Sequence, residues 1–212
     1  MGELLEDLVD SCLNFKNGFY IEAGANNGVR QSNTIFLEKM LGWKGILIEP
    51  NTKKIQICKQ NRSSTNLFYN CALVGEETTK TIWGNFDEDD IGESLMACSS
   101  VLLEYYDENF KQEIISKSVN RKQIQVPART LDSILEENNI KHVDFFSLDL
   151  EGYELEAIKN FRFDRYKIDY ILVETASRLQ YQKMMFEFMT SKGYTYYKKV
   201  SNNDDLYKRS EQ

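Results

Sequence analysis

The chain has 212 residues, with 26 Lys and Arg against 33 Asp and Glu, and a formal net charge of −7. That length is enough to bury a full core in one domain, residues 1–212, and the acidic balance argues against a nonspecific nucleic-acid binder or a polybasic membrane anchor. No stretch approaches the ~18 apolar residues of a membrane span, the first ten residues carry acids and no base as a signal peptide would need, and two prolines with eleven glycines exclude a collagenous chain.

Helical spacing of Leu4, Leu5, Leu8, Val9 and Cys12 predicts a helix over 3–14. Phe19-Tyr20-Ile21 follows as a short buried strand ending in Glu22-Ala23-Gly24. Residues 32–41 form the next helix, with Ser32 or Asn33 placed to cap it. Gly45 to Ile48 is a second buried strand that ends at Glu49-Pro50, and Asn51 can cap a helix reaching about Gln60. A third strand lies near 67–70, with further strand pieces over 72–86. The stretch 87–120 opens on four acids, Asp87-Glu88-Asp89-Asp90, and is expected to be a loop with one helix, a lid on the acceptor side. Lys122 to Val126 returns as a strand, and Thr130 caps a helix through Glu137.

Val143 to Leu148 is the strongest strand pattern in the chain, broken by Gly152 and followed by a helix over 153–160. A strand at 168–173, a helix at 178–192 stopped by Gly193, and two closing strands at 194–200 and 206–208 complete the series. Strands alternating with helices predict an α/β fold: a mostly parallel, seven-stranded sheet, helices on both faces, and a C-terminal antiparallel hairpin.

Cys12, Cys58, Cys71 and Cys98 are widely and irregularly spaced, and His142 is the only histidine. A structural zinc site does not fit this pattern. The four cysteines are expected to be reduced thiols of a cytoplasmic protein.

In an open α/β sheet, ligands bind beyond the carboxyl ends of the strands. Those ends carry Glu22-Ala-Gly24-Ala-Asn26-Asn-Gly28, then Glu49, Asn70-Cys71-Ala72, Asp149-Leu-Glu151-Gly152 and Glu174. Gly24 and Gly28 permit a tight turn and a close approach of backbone to ligand. An acid at the end of the second strand, Glu49, suits a ribose diol because its oxygens accept from both hydroxyls. The loop is not GxGxxG, and the carboxylate of Glu22 would repel a pyrophosphate and favour a cation. A ribose with a cationic tail and no phosphate points to S-adenosyl-L-methionine.

These blocks are familiar as a set. EAGANNGV at 22–29, Ser-Asn-Thr at 32–34, Leu37-Glu38, Gly42-Trp43 through Asn51, Arg129-Thr-Leu-Asp132 and DFFSLDLEGYE at 144–154 resemble, in order, the FkbM family of S-adenosylmethionine-dependent methyltransferases. The resemblance spans roughly residues 17–200, and it departs from one common family form, which has Asp where this chain has Glu22; the swap keeps the charge. It implies a Rossmann-like class I methyltransferase. Glu22, Gly24, Asn26 and Gly28 match the cofactor loop, Glu49 matches the ribose acid, and Cys71 and Ala72 fall where such folds touch adenine. Asp149 falls where the strand faces the methyl group and is the candidate base, or binds the cofactor's ammonium. Family members methylate hydroxyls of sugars and other small molecules, so a small-molecule or glycan acceptor is expected.

Arg30, Asn33, Glu151 and Glu174 are the candidate acceptor-side residues. Glu154 reads as a carboxylate favoured by a helix start. Asp149, Glu151 and Glu174 could together hold a divalent cation such as magnesium, but their spacing is not a fixed ligand pattern and no metal is predicted. His142 lies at the opposite end of its strand and is expected to be structural or solvated. The rival readings are a non-catalytic partner-binding module on the same fold, and a nicotinamide-dependent oxidoreductase, against which Glu22 and the missing GxGxxG count.

Overall fold

Strands with apolar residues at nearly every position are buried on both faces and must sit inside a layered sheet. The computed structural model describes residues 12–84, 124–175 and 179–210. In chain order the described elements are β1 (Phe19–Ala23), α1 (Ile35–Leu41), β2 (Lys44–Ile48), α2 (Thr52–Asn61), β3 (Leu67–Tyr69), β4 (Ala72–Leu73) and β5 (Thr81–Gly84). They continue with β6 (Ile124–Arg129), α3 (Leu131–Glu137), β7 (His142–Leu148), α4 (Glu154–Ile158), β8 (Lys167–Glu174), α5 (Leu179–Ser191), β9 (Tyr194–Lys199) and β10 (Asp204–Arg209). The helix expected over 3–14 falls mostly outside the described residues, and so does the expected lid at 87–120.

Seven strands form the main sheet in the order β3-β2-β1-β7-β8-β10-β9. The first five run parallel, and β10 runs antiparallel to both of its neighbours. β1 and β7 are adjacent although far apart in the chain, so the strand order reverses between them. That reversal opens a crevice at their carboxyl ends. A three-stranded sheet, β4-β6-β5, is formed by the strand pieces expected over 72–86 and the strand expected over 122–126, whose pairing into a separate sheet was not expected.

Alternation along the strands divides the core in two. Ile21, Ile46, Phe146, Leu148, Ile171 and Val173 face one layer, where α3, α4 and α5 add Leu135, Ile158, Tyr181 and Met185. Tyr20, Leu47, Phe145, Leu172 and Leu206 face the other, where α1 and α2 add Leu37, Ile55 and Cys58. The expected split, with Phe145 and Ser147 opposite Phe146 and Leu148, is therefore present. Helix starts also follow the sequence. Asn51 accepts a hydrogen bond from the Lys54 N–H at 3.0 Å, and Thr130 from the Ser133 N–H at 3.2 Å. α1 begins at Ile35 with Thr34 at the cap position, yet it is the Ser32 hydroxyl that accepts from the Ile35 N–H, at 3.1 Å.

Candidate functional site

Three strand ends build the turn at the crevice. The N–H groups of Gly24 and Ala25 both donate to the Ile48 carbonyl at 3.0 Å, and the Asp149 N–H donates to the Ala23 carbonyl at 3.1 Å. β1 is thereby stitched to β2 and β7 just where it stops. Gly24 then turns with φ of +86°, and a Cβ there would meet the Asp149 carbonyl oxygen at 1.9 Å. Gly28, with φ of +79°, packs so closely on α2 that a Cβ would lie 2.8 Å from the Cys58 sulfur. Only glycine fits either position without moving backbone.

Glu49 is buried at the end of β2. Its Oε2 accepts from the Asn26 N–H and its Oε1 from the Asn51 N–H, both at 2.9 Å. Burial raises its pKa above the ordinary value, and these N–H donors pull the other way. Each carboxylate oxygen has a second lone pair left. Asn70 fixes the strand end by donating to the carbonyls of Glu49 and Pro50 at 3.0 and 2.8 Å.

Glu22 does not stand at the turn as a bare charge. It is buried, and Arg62 lies 3.1 Å from its Oε2. The hydroxyls of Ser32 and Thr34 donate to the same oxygen at 3.0 and 2.6 Å, and the Asn33 N–H donates to Oε1 at 2.9 Å. Arg62 is shared between Glu22 and Glu38, so one cation faces two carboxylates, and through Ser32, Asn33 and Thr34 Glu22 also holds residues 32–34. Arg62 itself has no exposed side-chain surface. It donates to Glu38 at 2.8 Å, the Gly28 carbonyl at 3.1 Å, the Tyr20 hydroxyl at 2.7 Å and Thr34 at 2.8 Å. Sequence reasoning missed Arg62 and its partner Glu38 as an ion pair. An Arg one residue past a helix rich in Lys carries no local sign of burial.

Asn33, anchored by Glu22, reaches across to donate to the Ser147 hydroxyl on β7 at 3.0 Å. Arg30 is exposed in the turn. Cys71 is buried in the main core, where burial pushes its thiol up to about 12. Ala72 opens β4 and packs in a small cluster with Val126. Cys58 and Cys71 are free thiols.

Beyond β7 and β8 the groups are acidic. Asp149 follows β7 and Glu174 ends β8, with Leu148 pairing with Val173, and oxygens of the two side chains lie within 4.8 Å of each other. Burial raises Asp149 well above its ordinary value and Glu174 raises it further. Burial, then the charge of Glu151, pushes Glu174 up to about 7. Its Oε2 is buried without a hydrogen-bond partner. Glu151 sits half-buried in a left-handed conformation, φ of +55°, within the loop that follows. Glu154 holds that loop: it accepts from the N–H groups of Leu150 and Gly152 at 2.8 Å and from the Tyr181 hydroxyl at 2.6 Å. Oxygens of Asp149, Glu154 and Glu174 lie within 4.8 Å of one another, and both Glu154 oxygens also accept from the loop N–H groups and the Tyr181 hydroxyl.

His142 stands at the opposite end of β7, half-exposed, 2.7 Å from Asp169. It lies at the end of the strand away from the crevice, as expected. The crevice thus offers carboxylates and carbonyls, one carboxylate oxygen among them unpartnered, and a turn that admits close contact. Such a set of acceptors fits a ligand that carries hydroxyls and a positive charge.

A doubly wound sheet with a glycine turn at the end of β1, an acid after β2 and acidic groups beyond β7 and β8 defines a Rossmann-like fold. The methyltransferase FkbM domain model matches residues 22–196, so the chain belongs to the FkbM methyltransferase family. Among solved structures it is similar to the FkbM methyltransferase of Methylobacillus flagellatus KT, at 15% identity and a TM-score of 0.50. That likeness covers 91% of this chain but only 43% of the other, and it bears on the fold alone. A methyltransferase of Pyrococcus furiosus is also similar, at 11% identity and a TM-score of 0.48, over 97% of this chain and 81% of that one. No curated protein matches the chain. Among the described residues no helix is long and apolar enough to cross a membrane.

Proposed function

We propose that this chain methylates a hydroxyl of a sugar or other small acceptor, with S-adenosyl-L-methionine as the methyl donor, as one cytoplasmic domain. The observation that carries the reading is Glu49, a buried carboxylate locked beside the Gly24 turn by the Asn26 N–H, 2.9 Å away. Free thiols on Cys58 and Cys71 suit a reducing compartment.

When bound, S-adenosylmethionine supplies an electrophilic methyl group on a positively charged sulfur. The protein's share is to bind, align and exclude water, and alignment alone can be worth about 7–11 kcal/mol. Glu49 has lone pairs left to accept from a ribose diol. Gly24, Asn26 and Gly28 present backbone at close range, Glu22 sets their course through Ser32 and Asn33, and Cys71 and Ala72 border the adenine side. Asp149 and Glu174 favour the cationic end of the ligand by charge. Asn33, Arg30 and Glu151 ring the acceptor side.

Calorimetry with S-adenosylmethionine is the first test. Micromolar binding by the wild-type chain, lost in Glu49→Ala with the fold intact, is the expected result. Absence of wild-type binding would overturn the reading and favour a partner-binding module.

A further inference from the structure

The two layers that cover the sheet carry different charges. On the α3–α4 side, cations meet carboxylates at the surface: Arg129 lies 2.7 Å from Glu137, Arg162 2.6 Å from Asp132 and Arg165 2.6 Å from Glu136. On the α1–α2 side the surface has one sign. Over residues 12–75 every carboxylate, Glu22, Glu38 and Glu49, is buried. Lys16, Arg30, Lys39, Lys44, Lys53 and Lys59, from the same stretch, are all exposed. The net charge of −7 averages over this asymmetry and conceals it.

These cations share one continuous face, because the segments that carry them are bonded to one another. The Asn17 N–H donates to the Leu41 carbonyl at 3.0 Å and the Lys44 N–H to the Gly18 carbonyl at 3.2 Å, which sets Lys16 beside the end of α1 and the start of β2. Lys39 donates to the Asn61 carbonyl at 3.4 Å and so joins α1 to the last turn of α2, where Lys59 stands. The Asn61 amide donates to the Asn27 carbonyl at 2.8 Å, and the Asn27 side chain accepts from the Val29 and Arg30 N–H groups at 3.0 and 2.8 Å. The face thus runs up to the glycine turn beside the crevice. Apolar side chains stand among its charges: Met40 is 65% exposed, and Phe15 and Val29 are each 41% exposed.

We propose that this face docks the protein on a membrane surface rich in anionic lipid. Lysine is a compact point charge on a flexible stem, so it meets a headgroup phosphate without a fixed geometry. An anionic leaflet attracts each such cation, and the attraction fades within a Debye length. Met40 and Val29 add apolar surface of the kind that enters the boundary between headgroups and acyl chains. A nucleic acid offers phosphates too, but its bases are held by open aromatic faces and by Arg forks. Here the exposed ring, Phe15, already packs against Trp43 with ring centres 4.7 Å apart, and lysines outnumber arginine. The docking needs neither cofactor nor acceptor, so it stands or falls apart from the methyltransferase reading.

Co-sedimentation of the full chain with lipid vesicles is the test. Phosphatidylcholine vesicles that contain phosphatidylglycerol should carry the protein down at low salt and release it as salt rises, and phosphatidylcholine alone should not. Lys39→Glu combined with Lys59→Glu should weaken the partition by about tenfold or more, and Met40→Ser should weaken it at unchanged charge. The charge-matched combination of Lys183→Glu and Lys192→Glu, exposed lysines of α5 and its end in the other layer, should bind as the wild type does. Thermal unfolding of each variant shows that the fold is kept, as expected for exposed positions. Equal sedimentation with and without phosphatidylglycerol overturns the proposal, and so does an equal loss in the two lysine combinations, which would reduce the effect to net charge. Absence of wild-type binding to either vesicle overturns it as well. A random-sequence oligonucleotide that then binds the wild type but not the Lys39, Lys59 variant would assign the face to nucleic acid instead.

Discussion

At Gly24 the backbone has no room for a side chain. A methyl there would lie 1.9 Å from the Asp149 carbonyl oxygen, on a residue with φ of +86°. A non-glycine residue in that conformation costs about 1–3 kcal/mol by itself, and the clash adds to it by forcing β1 and β7 apart. Gly24→Ala should therefore lower stability in urea denaturation by more than that range and weaken binding of S-adenosylmethionine. A variant with wild-type stability and affinity would show that the turn is not the close-contact point. Single residues whose partners are near in sequence were legible in advance: Asn51 and Thr130 cap as their spacing implies, and Ser32 supplies a cap contact. Glu22 was legible as an acid at the strand end, yet its true partner, Arg62, is forty positions away. No local pattern encodes that pairing, so the charge was assigned to the ligand side.

At the scale of elements, Arg62 joins α2 to the β1 turn and to α1 through Glu22 and Glu38. Removing one partner of a buried ion pair leaves an uncompensated charge, typically at about 3–5 kcal/mol. Arg62→Met should lose stability on that order in chemical denaturation, and amide exchange should quicken across residues 24–34 before it does in β7. A loss below about 1 kcal/mol would mean that water replaces the guanidinium. The strands themselves were readable because β1, β2, β7 and β8 are apolar on both faces, a pattern that admits little but a covered parallel sheet. The split of β4, β5 and β6 into a separate small sheet was not readable. β4 and β5 are short, and they meet β6 from residues far apart in the chain, so pairing rather than propensity decides where they go.

The molecule as a whole carries opposed acid groups, and their signs set how stability depends on pH. Burial alone would raise Glu38, but hydrogen bonds from Arg62 and the Ser63 N–H outweigh it and bring its pKa from 4.5 to about 2. A depressed carboxyl stabilises the fold above its unfolded pKa, and that contribution disappears as pH falls from about 4.5 towards about 2. Glu174 has the reverse sign. Burial and the charge of Glu151 raise it from 4.5 to about 7, so the native state holds its proton more tightly than the unfolded chain does. Its contribution is present below about 4.5 and is lost as pH climbs through about 7. Thermal unfolding followed against pH should show an optimum on the mildly acidic side, with Glu174→Gln flattening the decline towards neutrality and leaving the acid limb unchanged. A wild-type decline that persists unaltered in Glu174→Gln would assign it to other groups.

The position of β10 bears on how the chain is made. It runs between β8 and β9, antiparallel to both, although it follows them in sequence. On the ribosome, β8 and β9 are synthesised before the strand that separates them. Until residues 204–209 clear the exit tunnel, the open edge of β8 remains available to any other extended segment, and a chaperone that shields strand edges would act there. Asp204 and Asp205 arrive with the same strand, so among the described elements the acidic end of the sheet closes only when β10 docks.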